Sequence, residues 1–102
     1  MYKEFVRNRI TQLRLLLNIS EKKMSRDLGN SPSYINNITS GKSLPSMQVF
    51  FDICDYCNIT PAEFFDEDIK RPDLAHKINE GLKDLSDDDI LLILGYIERL
   101  QK

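Results

Sequence analysis

Apolar residues recur along this chain at spacings of three and four, the period of one helix face, and no stretch keeps the two-residue rhythm of a strand. Phe5, Val6, Ile10, Leu13 and Leu17 predict a first helix over residues 3–17. Behind Ser20, a good N-cap, Met24 and Leu28 predict a second, and Gly29 ends it because glycine tolerates left-handed backbone. Ser31 and Pro32 read as the cap and first position of a third helix reaching Ser40, with Ile35 and Ile38 turned inward. Residues 41–46, GKSLPS, have the composition of a turn. Met47, Phe50, Phe51, Ile53, Cys54 and Cys57 then mark a fourth helix over 47–57. Thr60, Pro61 and Glu63 form the start signal of a fifth: Thr caps, Pro fills a position whose N–H is free anyway, and Glu reaches back. Phe64 and Phe65 are expected to close the core.

A polar link at 66–73 follows, and Leu74, Ile78 and Leu82 predict a sixth helix from Pro72 to Asp84. Ser86 caps a seventh, with Asp87, Asp88 and Asp89 in the first turn, where the helix dipole favours negative charge. The expected fold is all-α: a five-helix domain over residues 1–68 and a two-helix C-terminal extension over 69–102.

The second and third helices with their tight turn make a helix-turn-helix, and the outer face of the third helix carries its chemistry. At about 100° per residue, Ser33, Asn36, Asn37 and Ser40 lie opposite Ile35 and Ile38. That face offers hydrogen-bond donors and acceptors without charge, a surface suited to the major groove of double-stranded DNA. Ser33, Asn36 and Asn37 are the expected base readers, since an Asn amide pairs bidentately with adenine N6 and N7. Lys22, Lys23, Tyr34, Ser40 and Lys42 are expected on phosphates or sugar, helped by backbone N–H groups at the helix starts.

Charge adds to this picture once the chain is divided. The net charge is −2, but residues 1–45 hold eight Lys or Arg against three acids, while residues 46–102 hold six against thirteen. The basic half contains the helix-turn-helix, with Lys3, Arg7, Arg9, Lys22, Lys23, Arg26 and Lys42 expected to be available to phosphates.

From Ile10 to Phe65 the chain resembles the XRE family, the Cro and phage-repressor type of helix-turn-helix protein. Ile10 and Leu13-Arg14 resemble the end of its first helix, Ile19-Ser20 the entry to its second, and Leu28-Gly29 and Ser31 its turn. Ile35 and Ile38 match the buried side of the recognition helix, Gly41-Lys42 its exit, and Pro45 to Phe65 its last two helices. The resemblance implies a transcriptional regulator, a repressor by family habit. An alternative within the same family is an antitoxin or another regulator that binds a protein partner. Three residues depart from the pattern. Glu21 replaces a Gln that commonly holds a phosphate and would repel one. Thr39 replaces a Glu commonly paired with the first-helix Arg, leaving Arg14 without that partner, and Asn30 replaces an apolar turn residue.

Other constellations are bland. Cys54 and Cys57 form a C-x-x-C, but zinc needs four ligands and His76 is the one histidine, so both are expected in the core. His76 has no nucleophile in a suitable motif, and the acidic runs 66–68 and 87–89 lack calcium-loop spacing. No catalytic arrangement, metal site or cofactor is expected. Nothing reads as a membrane span or a signal-peptide core, and the cytoplasm is the expected compartment. Gly81 and Gly95 mark either a close crossing of the last two helices or tolerated defects.

The last helix carries two apolar stripes: Ile90, Leu94 and Ile97, and beside them Leu92, Ile93, Tyr96 and Leu100. A surface helix normally needs one. One stripe is expected to cover the chain's own core and the second, Leu92 to Leu100, to meet another copy in a homodimer. A different protein partner could use the same helices. The competing arrangement sinks this helix between the sixth helix and the DNA-binding domain.

Overall fold

Side-chain caps set most of the helix starts. Ser20, Ser46 and Ser86 each accept from the backbone N–H three residues on, at 3.0, 3.2 and 3.2 Å. Thr60 and Glu63 form a reciprocal capping box, with bonds of 3.1 and 2.8 Å. The computed structural model describes all 102 residues and contains seven helices. They are α1 (Tyr2–Leu16), α2 (Glu21–Asp27), α3 (Tyr34–Thr39), α4 (Met47–Tyr56), α5 (Pro61–Phe64), α6 (Pro72–Leu82) and α7 (Asp87–Leu100).

α3 begins two residues later than its sequence suggests. Ser31 is not its side-chain cap; the Ser31 carbonyl accepts from the Tyr34 N–H at 3.0 Å, and Pro32 and Ser33 lie in the turn before the helix. The free N–H of Ile35 is satisfied from another helix, by the buried Ser25 hydroxyl at 3.0 Å.

One core holds α1 to α5 together. Ile10, Leu13, Met24, Ile35, Ile38, Phe50, Ile53, Cys54, Cys57, Ile59 and Phe64 are buried. Phe64 meets Phe5 and Phe50 edge to face, with ring centres 6.4 and 5.0 Å apart. Leu17, Phe51 and Phe65, each 43% exposed, and Met47, 66% exposed, stay at the rim instead of entering. Leu17 lies past the end of α1, where Asn18 turns the chain with φ +55°. Phe65 stacks on Phe5 and also meets Phe50 and Phe64, but keeps part of its ring at the surface.

Arg9 departs from its expected role. It is only 6% exposed and donates to the carbonyls of Phe64, Asp66 and Ile69 at 3.0, 2.6 and 3.1 Å. It also donates to Gln12 Oε1 at 2.7 Å, and Gln12 in turn donates to the Lys70 carbonyl. This guanidinium clamps α1 to the link beyond α5 and is not available to phosphates.

α6 is tied to the domain by its buried first residue, Pro72, and by Glu63, which faces His76 Nδ1 at 2.8 Å and accepts from Asn79 at 3.2 Å. α7 has no buried residue, so it is not sunk against the domain. The radius of gyration, 16.2 Å, exceeds the roughly 13 Å of a compact chain this long, and the longest dimension is 49 Å. A methyl group at Gly81 or Gly95 would meet nothing within 4 Å, so these glycines do not mark a close helix crossing.

Candidate nucleic-acid interface

α3 is short and held at both ends by bonds to other elements. At its start, the Ser25 hydroxyl donates to the Glu21 carbonyl at 2.7 Å while accepting from Ile35. At its end, the Asn37 carbonyl accepts from the N–H groups of Lys42 and Ser43 at 2.9 and 3.0 Å. Gly41 makes that exit possible, since its φ of +93° is one that residues with a Cβ rarely adopt. Arg7, half-buried, donates to the Gly41 carbonyl at 3.3 Å and so links the exit to α1. These contacts of Ser25 and Arg7 with the ends of α3 are ones the sequence pattern did not reveal. The signal for Ser25 was a hydroxyl beside Met24 on the inward side of α2.

With the ends fixed, Ile35 and Ile38 are fully buried and Ser33, Asn36 and Ser40 face solvent. Asn37 is half-buried. Glu21, Lys22, Pro32, Ser33 and Asn36 line one open cleft between the starts of α2 and α3. Lys22 and Lys42 are exposed beside this face. Lys23 is exposed too, but pairs with Asp27 at 3.0 Å, and Asp27 also accepts from the Tyr56 hydroxyl at 2.6 Å. The Tyr34 ring packs against the core.

Glu21 does not stand free. Its Oε2 accepts from Thr39 Oγ1 at 2.5 Å and its Oε1 from Asn36 Nδ2 at 3.1 Å. The Thr39 bond chiefly holds its carboxyl below the usual range; burial opposes this, and Asn36 and the Arg14 charge add to it. Arg14 donates to the Ile19 carbonyl at 2.9 Å. Two departures from the family pattern therefore answer each other. The carboxylate missing from the end of α3 stands at the start of α2, where Thr39 bonds to it and the charge of Arg14 reaches it.

The remaining candidates lie elsewhere. Cys54 and Cys57 are free thiols in the core, pushed up by burial to about 11 and about 12. His76 serves the α5–α6 joint, bonding Glu63 at 2.8 Å. On α7, Ile93, Tyr96 and Leu100 border a groove shared with Ile78, Leu82 and Leu85, while Leu92 lies outside it and is 73% exposed. No helix is long and apolar enough to cross a membrane.

The helix-turn-helix family model matches residues 10–64, more than half of the chain. No curated protein and no solved structure matches it.

Proposed function

The chain belongs to the helix-turn-helix family of XRE and Cro type, a DNA-binding regulatory family, and from that we propose that it is a sequence-specific transcriptional repressor acting as a homodimer in the cytoplasm. The observation that carries the reading is the exposed, uncharged face of α3 with free lysines on either side, Lys22 and Lys42. Ser33, Asn36 and Asn37 read base edges, and Lys22, Lys23, Tyr34, Ser40 and Lys42 hold the backbone. Phosphate contacts give affinity on any sequence; the amides give preference. The test is selection of duplexes from a randomised pool with the purified protein. Asn36→Ala and Asn37→Ala should each lose about 1–3 kcal/mol on the selected site and little on scrambled DNA. Equal losses on both would refute base reading.

The dimer reading rests on α7. Its apolar side chains are open to solvent in one copy, with Leu91, Leu92 and Leu100 each more than 60% exposed. Its ends are oppositely charged, with Asp87, Asp88 and Asp89 in the first turn and Arg99 in the last. Two copies laid antiparallel place each acidic end beside a basic one, which suits a two-fold pair. Two-fold pairing also matches readers whose recognition helices sit about 34 Å apart on near-palindromic sites. The same open stripe favours the antitoxin-like alternative if the protein sediments as a monomer at high concentration.

A further inference from the structure

We propose that Glu21 is a positioning residue for DNA reading: its carboxylate sets which way round the Asn36 side-chain amide faces the bases. The proposal rests on the reading that Asn36 contacts a base edge. Both oxygens of Glu21 are engaged by α3, Oε2 by Thr39 Oγ1 at 2.5 Å and Oε1 by Asn36 Nδ2 at 3.1 Å. The carboxylate is itself well placed, because the Ser25 hydroxyl ties the Glu21 backbone to the start of α3. An ionised carboxylate only accepts hydrogen bonds, whereas an amide has a donor end and an acceptor end. Flipping the Asn36 amide would set its Oδ1 against Glu21 Oε1, oxygen to oxygen at hydrogen-bond distance. The nitrogen must therefore face Glu21.

The consequence is an oriented reader. Glu21 uses one of the two Nδ2 hydrogens. The other hydrogen and Oδ1 remain, and together they form the donor–acceptor pair that the N7 and N6 edge of adenine accepts. An exposed Asn with no such partner would populate both amide orientations and lose freedom on binding. Glu21 removes that cost for one orientation only, so it favours a base that matches it. Its negative charge meanwhile weakens binding to DNA of any sequence, because it lies near the phosphates. A residue that lowers affinity while raising selectivity is a distinctive pairing, and it makes the proposal testable.

The experiment compares the tightest duplex recovered from a randomised pool with a scrambled duplex of the same length. The full-length wild type, Glu21→Ala, Asn36→Ala and the double variant are measured after far-UV helicity has shown each to be folded. Glu21→Ala should bind the scrambled duplex more tightly than wild type and lose about tenfold in the ratio of selected to scrambled affinity. In the Asn36→Ala background the same change should leave that ratio alone. A ratio kept in Glu21→Ala, or lost equally in both backgrounds, overturns the positioning role while leaving base reading intact. A ratio kept in Asn36→Ala overturns base reading itself, and the proposal with it. Glu21→Gln guards against a misfolded alanine variant. Gln keeps the size but can also donate, so the amide can flip and selectivity should fall partway; full selectivity in this variant overturns the proposal. Proton exchange of the Asn36 amide in free wild-type protein gives a DNA-independent readout. It should be several-fold slower than that of the exposed Asn8, and equal rates would refute the contact.

Discussion

Replacing Arg9 by Met should unfold this protein far more readily while changing its intrinsic contact with DNA little. The Met side chain keeps much of the apolar stem and removes the guanidinium. Three main-chain carbonyls then lose a donor: Phe64, in a buried bond, and Asp66 and Ile69, in part-buried ones. A buried carbonyl left unpaired costs about 1–3 kcal/mol, and each part-buried one, which water can reach, costs under about 1 kcal/mol. The total is about 2–4 kcal/mol, a large share of the roughly 5–15 kcal/mol that holds a domain folded. At about 4–8 °C per kcal/mol, the melting temperature should fall by more than about 8 °C. Urea melts followed by helicity would measure the loss, with Arg9→Lys as the companion variant. Lys keeps the charge but cannot fan out to three carbonyls, so its loss should be intermediate. If Arg9 served phosphates, Arg9→Met would instead leave stability within about 0.5 kcal/mol of wild type and reduce the salt dependence of DNA binding. That pair of results would refute the clamp.

Glu63 supplies a pH-dependent joint. Burial raises its pKa, but bonds from the Thr60 backbone, His76, Asn79 and the Thr60 hydroxyl outweigh this and leave it lowered. The stability it contributes is therefore complete above the unfolded value of about 4.3 and lost as pH falls through the lower folded value. Wild type should lose stability over that acid range more steeply than Glu63→Gln, read by urea melts at several pH values; parallel curves would exclude the role. The thiols of Cys54 and Cys57, at about 11 and about 12, are almost wholly protonated at pH 8, the thiolate fraction being about a thousandth or less. Iodoacetamide should label them slowly in the native protein and fast in urea, and fast native labelling would contradict their burial. Leu92→Lys with Tyr96→Lys should leave a folded monomer with weakened binding to a palindromic site, read by sedimentation and helicity. A variant that unfolds would mean that these side chains serve the monomer's own packing.

Much of this protein was legible as a sequence because its signals are local. The caps at Ser20 and Ser86 and the Thr60–Glu63 box each join groups three residues apart, so the chain carries both partners within one turn. The inward placement of Ile35 and Ile38 follows from helical period alone, and so does the polar face opposite. The errors fall where a bond spans the fold. Ser31 looked like a cap because nothing nearby in sequence reveals that Ser25, ten residues before Ile35, meets its N–H. Arg9 looked like one more cation on a basic helix, yet the three carbonyls it binds are 55 to 60 residues away. Glu21 and Thr39 read as two separate departures, 18 residues apart, and only the crossing of α2 and α3 makes them one hydrogen bond. Hydrophobic period and capping are set by the backbone geometry of a single helix, and sequence determines them directly. Whether a polar or charged side chain faces water, clamps a carbonyl or holds another side chain depends on which helix lies beside it, and only packing decides that.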